Sequence, residues 1–196
     1  MHELDTTFQD RDALIAYCHA QFPEAADIDG HVSDTVGGRA AGLDVLSEID
    51  PGAYGKTRNQ LDGAVTGLSP YLRHGCLGLA ECRDAVLDKE RGKEGYKLIN
   101  ELAWRDYYQR VLDELGDAVR DDLEDHKTGI PADDYADELP DDIADGETGI
   151  DFIDAMAREL VETGYLHNQA RMKLASYTIH WRRVKWQAGA DWFLTH

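Results

Sequence analysis

The stretch from Thr163 to Met172 constrains the fold most, because one helix ends and another begins within it. An apolar run with helical spacing stops at Val161, and Gly164 follows where a left-handed C-terminal cap would lie. A second amphipathic run starts at once and continues to about Trp186, before Ala188-Gly189 breaks it. The stretch therefore predicts two consecutive helices with a tight connection.

The start of that second helix carries an unusual set of side chains. His167, Asn168, Arg171 and Met172 bring imidazole, amide, guanidinium and thioether groups onto neighbouring faces at helical spacing. A purely structural helix start rarely needs such a set, which indicates a functional site. The alternative is that Asn168 caps the helix and Arg171 is an ordinary surface charge.

The remaining pattern predicts an all-α protein. Strand-like alternation of useful length is missing from the sequence, and so is any internal repeat. Helices are predicted at about 10–22, 79–89, 95–115, 148–161 and 166–186. Residues 27–50 are predicted to form a loop with one helical turn at 43–49, and Pro51-Gly52 is predicted to form a turn.

The charge of the chain is strongly negative and uneven. It has 39 acidic and 20 basic residues, a net charge of −19. Residues 117–147 hold thirteen acids and two bases, which is typical of a solvated, irregular insertion, whereas 151–196 hold five acids and six bases. Such acidity would repel nucleic acid, unless the protein works in high salt, where surface charges are screened. We favour a salt-rich cytoplasm, because lysine is scarce (seven, against thirteen arginines).

The cysteines and the hydropathy exclude several classes of protein. Cys18, Cys76 and Cys82 have no CxxC or metal-like spacing, and their odd number argues against a disulfide framework. A signal peptide and an apolar run long enough to span a membrane are both missing from the sequence. We therefore expect a soluble, cytoplasmic protein with no membrane partner and no metal site.

Two further segments carry candidate ligand-binding groups. Residues 53–75 combine hydroxyls, glycines and bases with few acids, which suits an anionic ligand such as a pyrophosphate. Ser69-Pro70 is also a helix-start signal, and both interpretations can hold together. On the helix at 95–115, one face presents the side chains Glu101, Trp104, Arg105 and Tyr108. That face either lines a pocket for a planar ligand, or consists of a Glu101–Arg105 surface pair with aromatics turned into the core.

Four blocks of the sequence follow one another in a recognisable order: Thr66–Leu72 with Gly75–Leu77, Asn100–Tyr108, Gly149–Asp154, and Thr163–Met172 with Ala175-Ser176. Taken together, these blocks resemble the flavin domain of the photolyase/cryptochrome family. The match runs from about Tyr54 to Phe193, and four blocks at the right spacing are far more specific than one. It looks closest to a shortened form without the antenna domain.

The resemblance implies a helical bundle that binds FAD, and blue-light chemistry on pyrimidine photodimers in DNA. It divides the chain into an N-terminal helical or linker segment, 1–52, and a partial FAD-binding domain, 53–196, with the acidic insertion at about 117–147. In the chemistry that the resemblance implies, a reduced flavin excited by blue light passes an electron to the dimer, the cyclobutane ring opens and the electron returns, and Glu101 takes part through a hydrogen bond with the dimer.

The resemblance also assigns roles residue by residue. The cofactor-binding positions are Tyr54, Thr66, Leu68, Ser69, Arg105, Asn168 and Arg171. The positions facing the DNA lesion are Glu101, Trp104, Tyr108, Gln169 and Met172, of which Glu101, with Asn168, is catalytic. Trp186 matches one tryptophan of an electron-transfer chain, and Arg182, Arg183 and Lys185 are placed to contact phosphates.

The sequence also departs from the family pattern. Val65 replaces a threonine, Gly67 an arginine and Tyr165 a tryptophan, Leu98 stands where a DNA-facing tryptophan is common, and Ile143 stands near another electron-chain position.

The chain ends before the family block that carries paired aspartates, an asparagine facing the flavin and a Trp-x-Trp. We therefore expect a protein partner or a second copy to complete the flavin pocket. Two other functions stay open: a light or redox sensor without repair, and a cofactor-free helical module.

Overall fold

The computed structural model describes residues 4–28, 32–60, 62–122, 124 and 128–196. Within these residues the secondary structure is helical, apart from one isolated parallel bridge between Ala136 and Val184, which confirms the all-α prediction. The helices are α1 Arg11–Gln21, α2 Pro23–Ile28, α3 Arg39–Glu48, α4 Pro51–Thr57, α5 Ser69–Arg73, α6 Leu79–Lys89, α7 Lys93–Leu115, α8 Asp141–Ala144, α9 Asp151–Thr163, α10 Asn168–Ser176 and α11 Trp186–Thr195. None of the described helices is long and apolar enough to cross a membrane.

Contacts divide the chain into two compact units, residues 1–34 and 35–196. The first unit contains α1 and α2. Asp10 caps α1, since its carboxylate accepts from the amide of Ala13 at 2.8 Å. Phe8 packs against Tyr17 with ring centroids 5.1 Å apart. The candidate site residues all lie in the second unit.

One half of the second unit is built around α7. The core there is formed by apolar side chains of α3, α5, α6 and α7 that bury one face of each helix. Its buried members are Leu46, Ile49, Leu68, Tyr71, Leu77, Cys82, Val86, Leu98 and Leu102. Residues 35–52, which we had placed with the N-terminal segment, therefore supply part of this core.

The other half is built around α9 and α10. Its buried residues are Ile153, Met156, Leu160, Leu166, Ala170 and Leu174, and Trp192 and Phe193 of α11 pack against them. Gly164 ends α9 with φ 66° and its amide donates to the carbonyl of Leu160 at 2.9 Å, so the predicted left-handed cap is confirmed. The tight α9–α10 connection follows from that cap.

Two predictions around residue 50 were wrong. The segment predicted as a loop contains the full helix α3, because Leu46 and Ile49 are buried and tertiary packing overrides the glycine-rich, acidic composition. Pro51 does not form a turn but begins α4, where Asp50 accepts from the amide of Ala53 at 2.8 Å. An Asp-Pro pair is a helix-start signal that the turn interpretation missed.

The long final helix was also predicted incorrectly. Helix α10 ends at Ser176 and a π-helical turn, Tyr177–Trp181, follows. The φ of Arg183, 53°, is left-handed and ends the helical run. Val184 is fully buried and pairs with Ala136 through the isolated bridge. Gly189, predicted to break a helix, lies inside α11. The backbone pairing of Arg183 and Lys185 with Ala136 and the Arg182–Asp142 ion pair account for the break, and only long-range contacts show it.

Candidate functional site

The central feature of the site is an ion pair between the end of α4 and α7. Arg58 Nη1 lies 2.7 Å from Glu101 Oε1, and the Arg58 guanidinium lies over the Tyr54 ring, 5.8 Å from its centroid. Burial raises the pKa of the Tyr54 hydroxyl and the Glu101 charge adds to it, while Arg58 opposes both. The three side chains therefore form one electrostatic group, and two of them are predicted site residues.

This geometry decides between the two interpretations of the α7 face. Glu101 pairs with Arg58 of another helix, so the interpretation as a Glu101–Arg105 surface pair is wrong. Trp104 and Tyr108 are 53% and 63% exposed, so they do not turn into the core. They stack on each other with centroids 5.9 Å apart, and Tyr107 packs edge-on against both. The result is an exposed aromatic surface one turn from the Glu101 carboxylate.

At the start of α10 the cap is His167. Its Nδ1 accepts from the amide of Gln169 at 3.0 Å, so the interpretation of Asn168 as the cap is wrong. An accepting Nδ1 on a neutral ring places the proton on Nε2. That Nε2 is buried and has no hydrogen-bond partner among the described residues. A buried donor without an acceptor is costly, so this position favours a partner that accepts a hydrogen bond.

The other polar residues of α10 point outward or toward α4. The Asn168 amide lies 3.7 Å from the sulfur of Met172, and both side chains are exposed. Gln169 Nε2 donates to Asn59 Oδ1 at 3.3 Å, next in the chain to Arg58. The α7 carboxylate and the α10 amides are thus linked through two neighbouring residues.

Arg171 is half-buried, so its interpretation as an ordinary surface charge is wrong. Its Nε donates to the carbonyl of Leu166 at 3.2 Å and its guanidinium lies 5.6 Å from the centroid of the Phe193 ring. Burial lowers the pKa of Arg171, and nearby Tyr165 partly offsets this. Among the described residues, no carboxylate lies within salt-bridge distance of this cation. Such a site fits an anionic or electron-rich group.

The loop before α5 offers fewer groups to a ligand than the sequence predicts. The Leu68 side chain is buried in the core, so only its backbone can reach a ligand. Ser69 is exposed and begins α5, but the N-cap is Leu68 and no side chain caps this five-residue helix. The predicted Ser69 cap is therefore wrong. Gly67 has φ 66°, a left-handed conformation that favours glycine over the arginine usual at this position.

An open cavity of about 270 Å³ lies beside this loop. It is lined by Val45, Glu48, Ile49, Asp50, Ala64, Val65 and Thr66. The two carboxylates make it a poor site for a pyrophosphate, and Glu101 and Asn168 do not line it. Convergence of the loop hydroxyls with α7 and α10 around one ligand therefore stays a prediction.

Two of the three basic residues near the C-terminus, Arg182 and Lys185, are already paired with aspartates. Arg182 donates to both oxygens of Asp142, at 2.7 and 3.0 Å, and Lys185 lies 2.5 Å from Asp137. A role of Arg182 and Lys185 in contacting phosphates is not supported, because aspartates of the acidic segment neutralise them. Arg183 is exposed, and its predicted role stays a prediction. Trp186 Nε1 donates to Asp122 Oδ1 at 2.5 Å, in the same region and apart from the Glu101 group.

Three other assignments can be placed. Arg105 is half-buried on α7, and its role stays a prediction. Leu98 and Ile143, which stand where the resemblance places a DNA-facing tryptophan and another electron-chain residue, are buried, at 3% and 0% exposure. Arg58 and Asn59 were not singled out from the sequence within the polar segment 53–75. The spacing does indicate the contact of Arg58 with Tyr54, because Arg58 follows Tyr54 by four residues and shares its helical face.

Comparison with known proteins agrees with this arrangement. The family model described as the FAD binding domain of DNA photolyase matches residues 98–196. The chain is 33% identical over 162 residues to a deoxyribodipyrimidine photo-lyase from Streptomyces griseus, covering 81% of this chain and 35% of that protein. It is 34% identical over 135 residues to a deoxyribodipyrimidine photo-lyase from Halobacterium salinarum, covering 64% and 27%.

The structural comparison gives the same result. A cryptochrome from Synechocystis superposes with a TM-score of 0.71 at 28% identity, over 83% of this chain and 36% of that one. The chain therefore spans about a third of the length of the proteins that it matches. The family model, the sequence identity to relatives and the fold together show that this chain belongs to the photolyase/cryptochrome family and carries part of the family's FAD-binding domain.

Proposed function

We propose that this chain takes part in blue-light-driven splitting of pyrimidine photodimers in DNA. The observation that carries the proposal is the Glu101 carboxylate, which is oriented by Arg58 beside the exposed rings of Trp104 and Tyr108. A flipped pyrimidine has flat faces that can stack on such rings. Its imide N–H group can donate a hydrogen bond to a carboxylate. The arrangement suits a base removed from the duplex.

The residues near α10 fit a flavin dinucleotide. His167 Nε2–H is a buried donor that lacks an acceptor among the described residues, and Arg171 is a half-buried cation there without a carboxylate. Both would be satisfied by an electron-rich heterocycle with phosphate groups. Tyr54, Thr66, Ser69, Arg105, Asn168 and Arg171, with the backbone of Leu68, are the groups that would contact FAD. When bound, FAD supplies the light-driven electron.

Each lesion-facing side chain has a distinct task in this proposal. Glu101, ion-paired with Arg58, is an acceptor for an N–H of the flipped base. The exposed Asn168 amide can donate to a base carbonyl, where negative charge develops after reduction. Trp104, Tyr108 and Met172 are exposed and would provide apolar contact that excludes water, and Gln169 is held by its hydrogen bond to Asn59.

DNA binding by such an acidic chain needs a physical explanation. With Arg182 and Lys185 paired internally, phosphate contacts contribute little, and base stacking would supply more of the affinity. Molar salt shortens the screening length to about 3 Å, which removes most of the repulsion between the net −19 charge and DNA. We therefore expect binding of dimer-containing DNA to tolerate high KCl, and we expect the protein to be halophilic.

The test uses purified protein with added FAD in molar KCl. Flavin absorbance bands should appear on the protein, and blue light should split a thymine dimer in a single-stranded oligonucleotide. Glu101→Gln should lower the rate at least about tenfold, because a hydrogen bond to a charged group is lost. The matched control is Arg110→Gln, which removes an exposed charge of α7 and should leave the rate unchanged. Equal repair by Glu101→Gln and the unchanged protein would contradict the proposal.

A light or redox sensor without repair is the second candidate. The observation that favours it is the internal pairing of Arg182 and Lys185, which removes cations expected to contact DNA. A sensor would bind FAD and respond to light by a change in its absorbance. It would neither bind nor split dimer-containing DNA at any salt concentration, which distinguishes it from the first proposal.

A further inference from the structure

We infer that Arg58 and Asn59 are positioning residues that set the α7 carboxylate and the α10 amides relative to each other; this inference rests on the proposed function. The two residues are adjacent in the chain at the end of α4, yet they contact different helices. Arg58 Nη1 lies 2.7 Å from Glu101 of α7, and Asn59 Oδ1 accepts from Gln169 of α10 at 3.3 Å. The Arg58–Asn59 pair thus joins the two helices that carry the candidate catalytic groups.

The backbone beneath the pair is fixed to α7. Helix α4 lies so close to α7 that a Cβ on Gly55 would come within 2.8 Å of the Glu94 Cα. Lys97 adds a bridge, since its Nζ donates to the Gly55 carbonyl at 2.6 Å and to Glu94 at 2.7 Å. Because α4 cannot shift along α7 without breaking these contacts, Arg58 reaches Glu101 from a constant position.

The chain is also fixed on the far side of the pair. The Thr57 hydroxyl donates to the Ala53 carbonyl at 2.9 Å and accepts from the amide of Ala64 at 2.9 Å. The Arg58 amide donates to the Tyr54 carbonyl at 3.0 Å, and its guanidinium rests on the Tyr54 ring. These backbone and ring contacts hold Arg58 in place, so Arg58 is suited to orient the Glu101 carboxylate.

The pair acts on Glu101 and on α10 by different chemistry. Arg58 contacts one oxygen of Glu101, so a carboxylate with two acceptor oxygens can still receive an N–H of a bound base. Asn59 and Gln169 are uncharged, so their hydrogen bond fixes the start of α10 without changing the charge of the site. Small errors in such distances matter greatly, because a misplaced group loses most of the advantage of proximity.

The experiment compares Arg58→Lys, Arg58→Gln and Asn59→Ala with the control Arg110→Gln, at saturating FAD. With a dimer-containing oligonucleotide, Arg58→Gln should lower kcat about tenfold with a smaller change in KM, since a charge-assisted contact to the carboxylate is lost. Arg58→Lys should recover part of kcat, because it keeps the charge but not the planar fork. A uniform loss in the three variants that follows their thermal stability would show only a structural role.

A second measurement does not depend on repair. The ¹³C resonance of the Glu101 carboxylate, assigned by its disappearance in Glu101→Gln, should shift in Arg58→Gln and not in Arg110→Gln. The side-chain ¹⁵N resonance of Gln169 should shift in Asn59→Ala. Unchanged resonances would overturn the inference even if repair occurs. Shifted resonances in a protein without repair would instead contradict the proposed function and leave the positioning contacts established.

Discussion

Arg171 lies in α10 and Arg182 follows the π-helical turn after α10, and their surroundings are opposite. Arg171 is half-buried, burial lowers its pKa, and no carboxylate among the described residues lies within salt-bridge distance of it. Arg182 donates to both oxygens of Asp142 and to the Tyr177 hydroxyl, and these bonds raise its pKa. Arg171 is therefore open to a ligand, whereas Arg182 is paired within the protein and stabilises its structure.

The different surroundings of Arg171 and Arg182 suggest that the first residue serves ligand binding and the second serves stability. Around Arg171, the protein leaves a desolvated charge and a buried His167 donor incomplete, which favours a ligand that supplies the missing groups. Around Arg182, the acidic segment contributes Asp142, Asp137 and Asp122 to the turn before α11. We therefore expect changes at Arg171 to affect FAD binding and changes at Arg182 to affect folding.

The largest effect is expected for Arg171→Gln on FAD affinity. Loss of a charge-assisted contact to the cofactor should weaken FAD binding at least about tenfold, measured by quenching of flavin fluorescence. The free energy of unfolding without FAD should change by no more than about 0.5 kcal/mol, because the variant also removes an uncompensated half-buried charge. Arg182→Gln is the matched control, and an equal loss of affinity in both variants would remove the distinction between the regions.

The second-largest effect is expected for Arg182→Gln, on the free energy of unfolding. The pair with Asp142 is partly exposed, so after allowance for solvent screening its loss should cost about 1 kcal/mol. For a chain of this size, that lowers the melting temperature by about 2–4 °C. Urea unfolding at a fixed KCl concentration measures it. A variant as stable as the unchanged protein would show that the acidic segment does not fasten the turn.

The same comparison shows where sequence reasoning succeeds. The cap at Gly164 and the bounds of α6 were predicted correctly because their signals are local: a glycine after an apolar run, and a short apolar periodicity. The polar residues at the start of α10 were singled out as a group from the same kind of local spacing, and their role in a site stays a prediction. Local spacing along a helix predicts which side chains share a face, whether those side chains belong to a binding site or to the core.

Sequence reasoning fails where a distant residue decides the outcome. Arg182 and Lys185 read as free bases in a weakly basic region, yet their partners Asp142 and Asp137 stand 40 and 48 residues earlier. The ion pair of Glu101 with Arg58 was missed for the same reason, since a charge at the right helical spacing, Arg105, offered a nearer partner. Charge counts along a chain cannot say which acid meets which base.

The smallest effect is expected from acid, and it tests the Arg182 region alone. The Arg182 hydrogen bonds hold the pKa of Asp142 below its ordinary value, and burial only partly opposes this. Because the pKa is lower in the folded than in the unfolded chain, the stability it contributes is present above the ordinary carboxyl value of about 3.9. It is lost as the pH falls through the lowered value.

In Arg182→Gln that contribution is already missing. The difference in unfolding free energy between the unchanged protein and the variant should therefore shrink as the pH falls from about 5 toward 3. Asp154 gives an internal reference, since the Thr148 hydroxyl lowers its pKa equally in both proteins and its loss cancels in the difference. A difference that stays constant with pH would mean that Arg182 stabilises the turn through its contact with Tyr177 and its packing, rather than through the charge of Asp142.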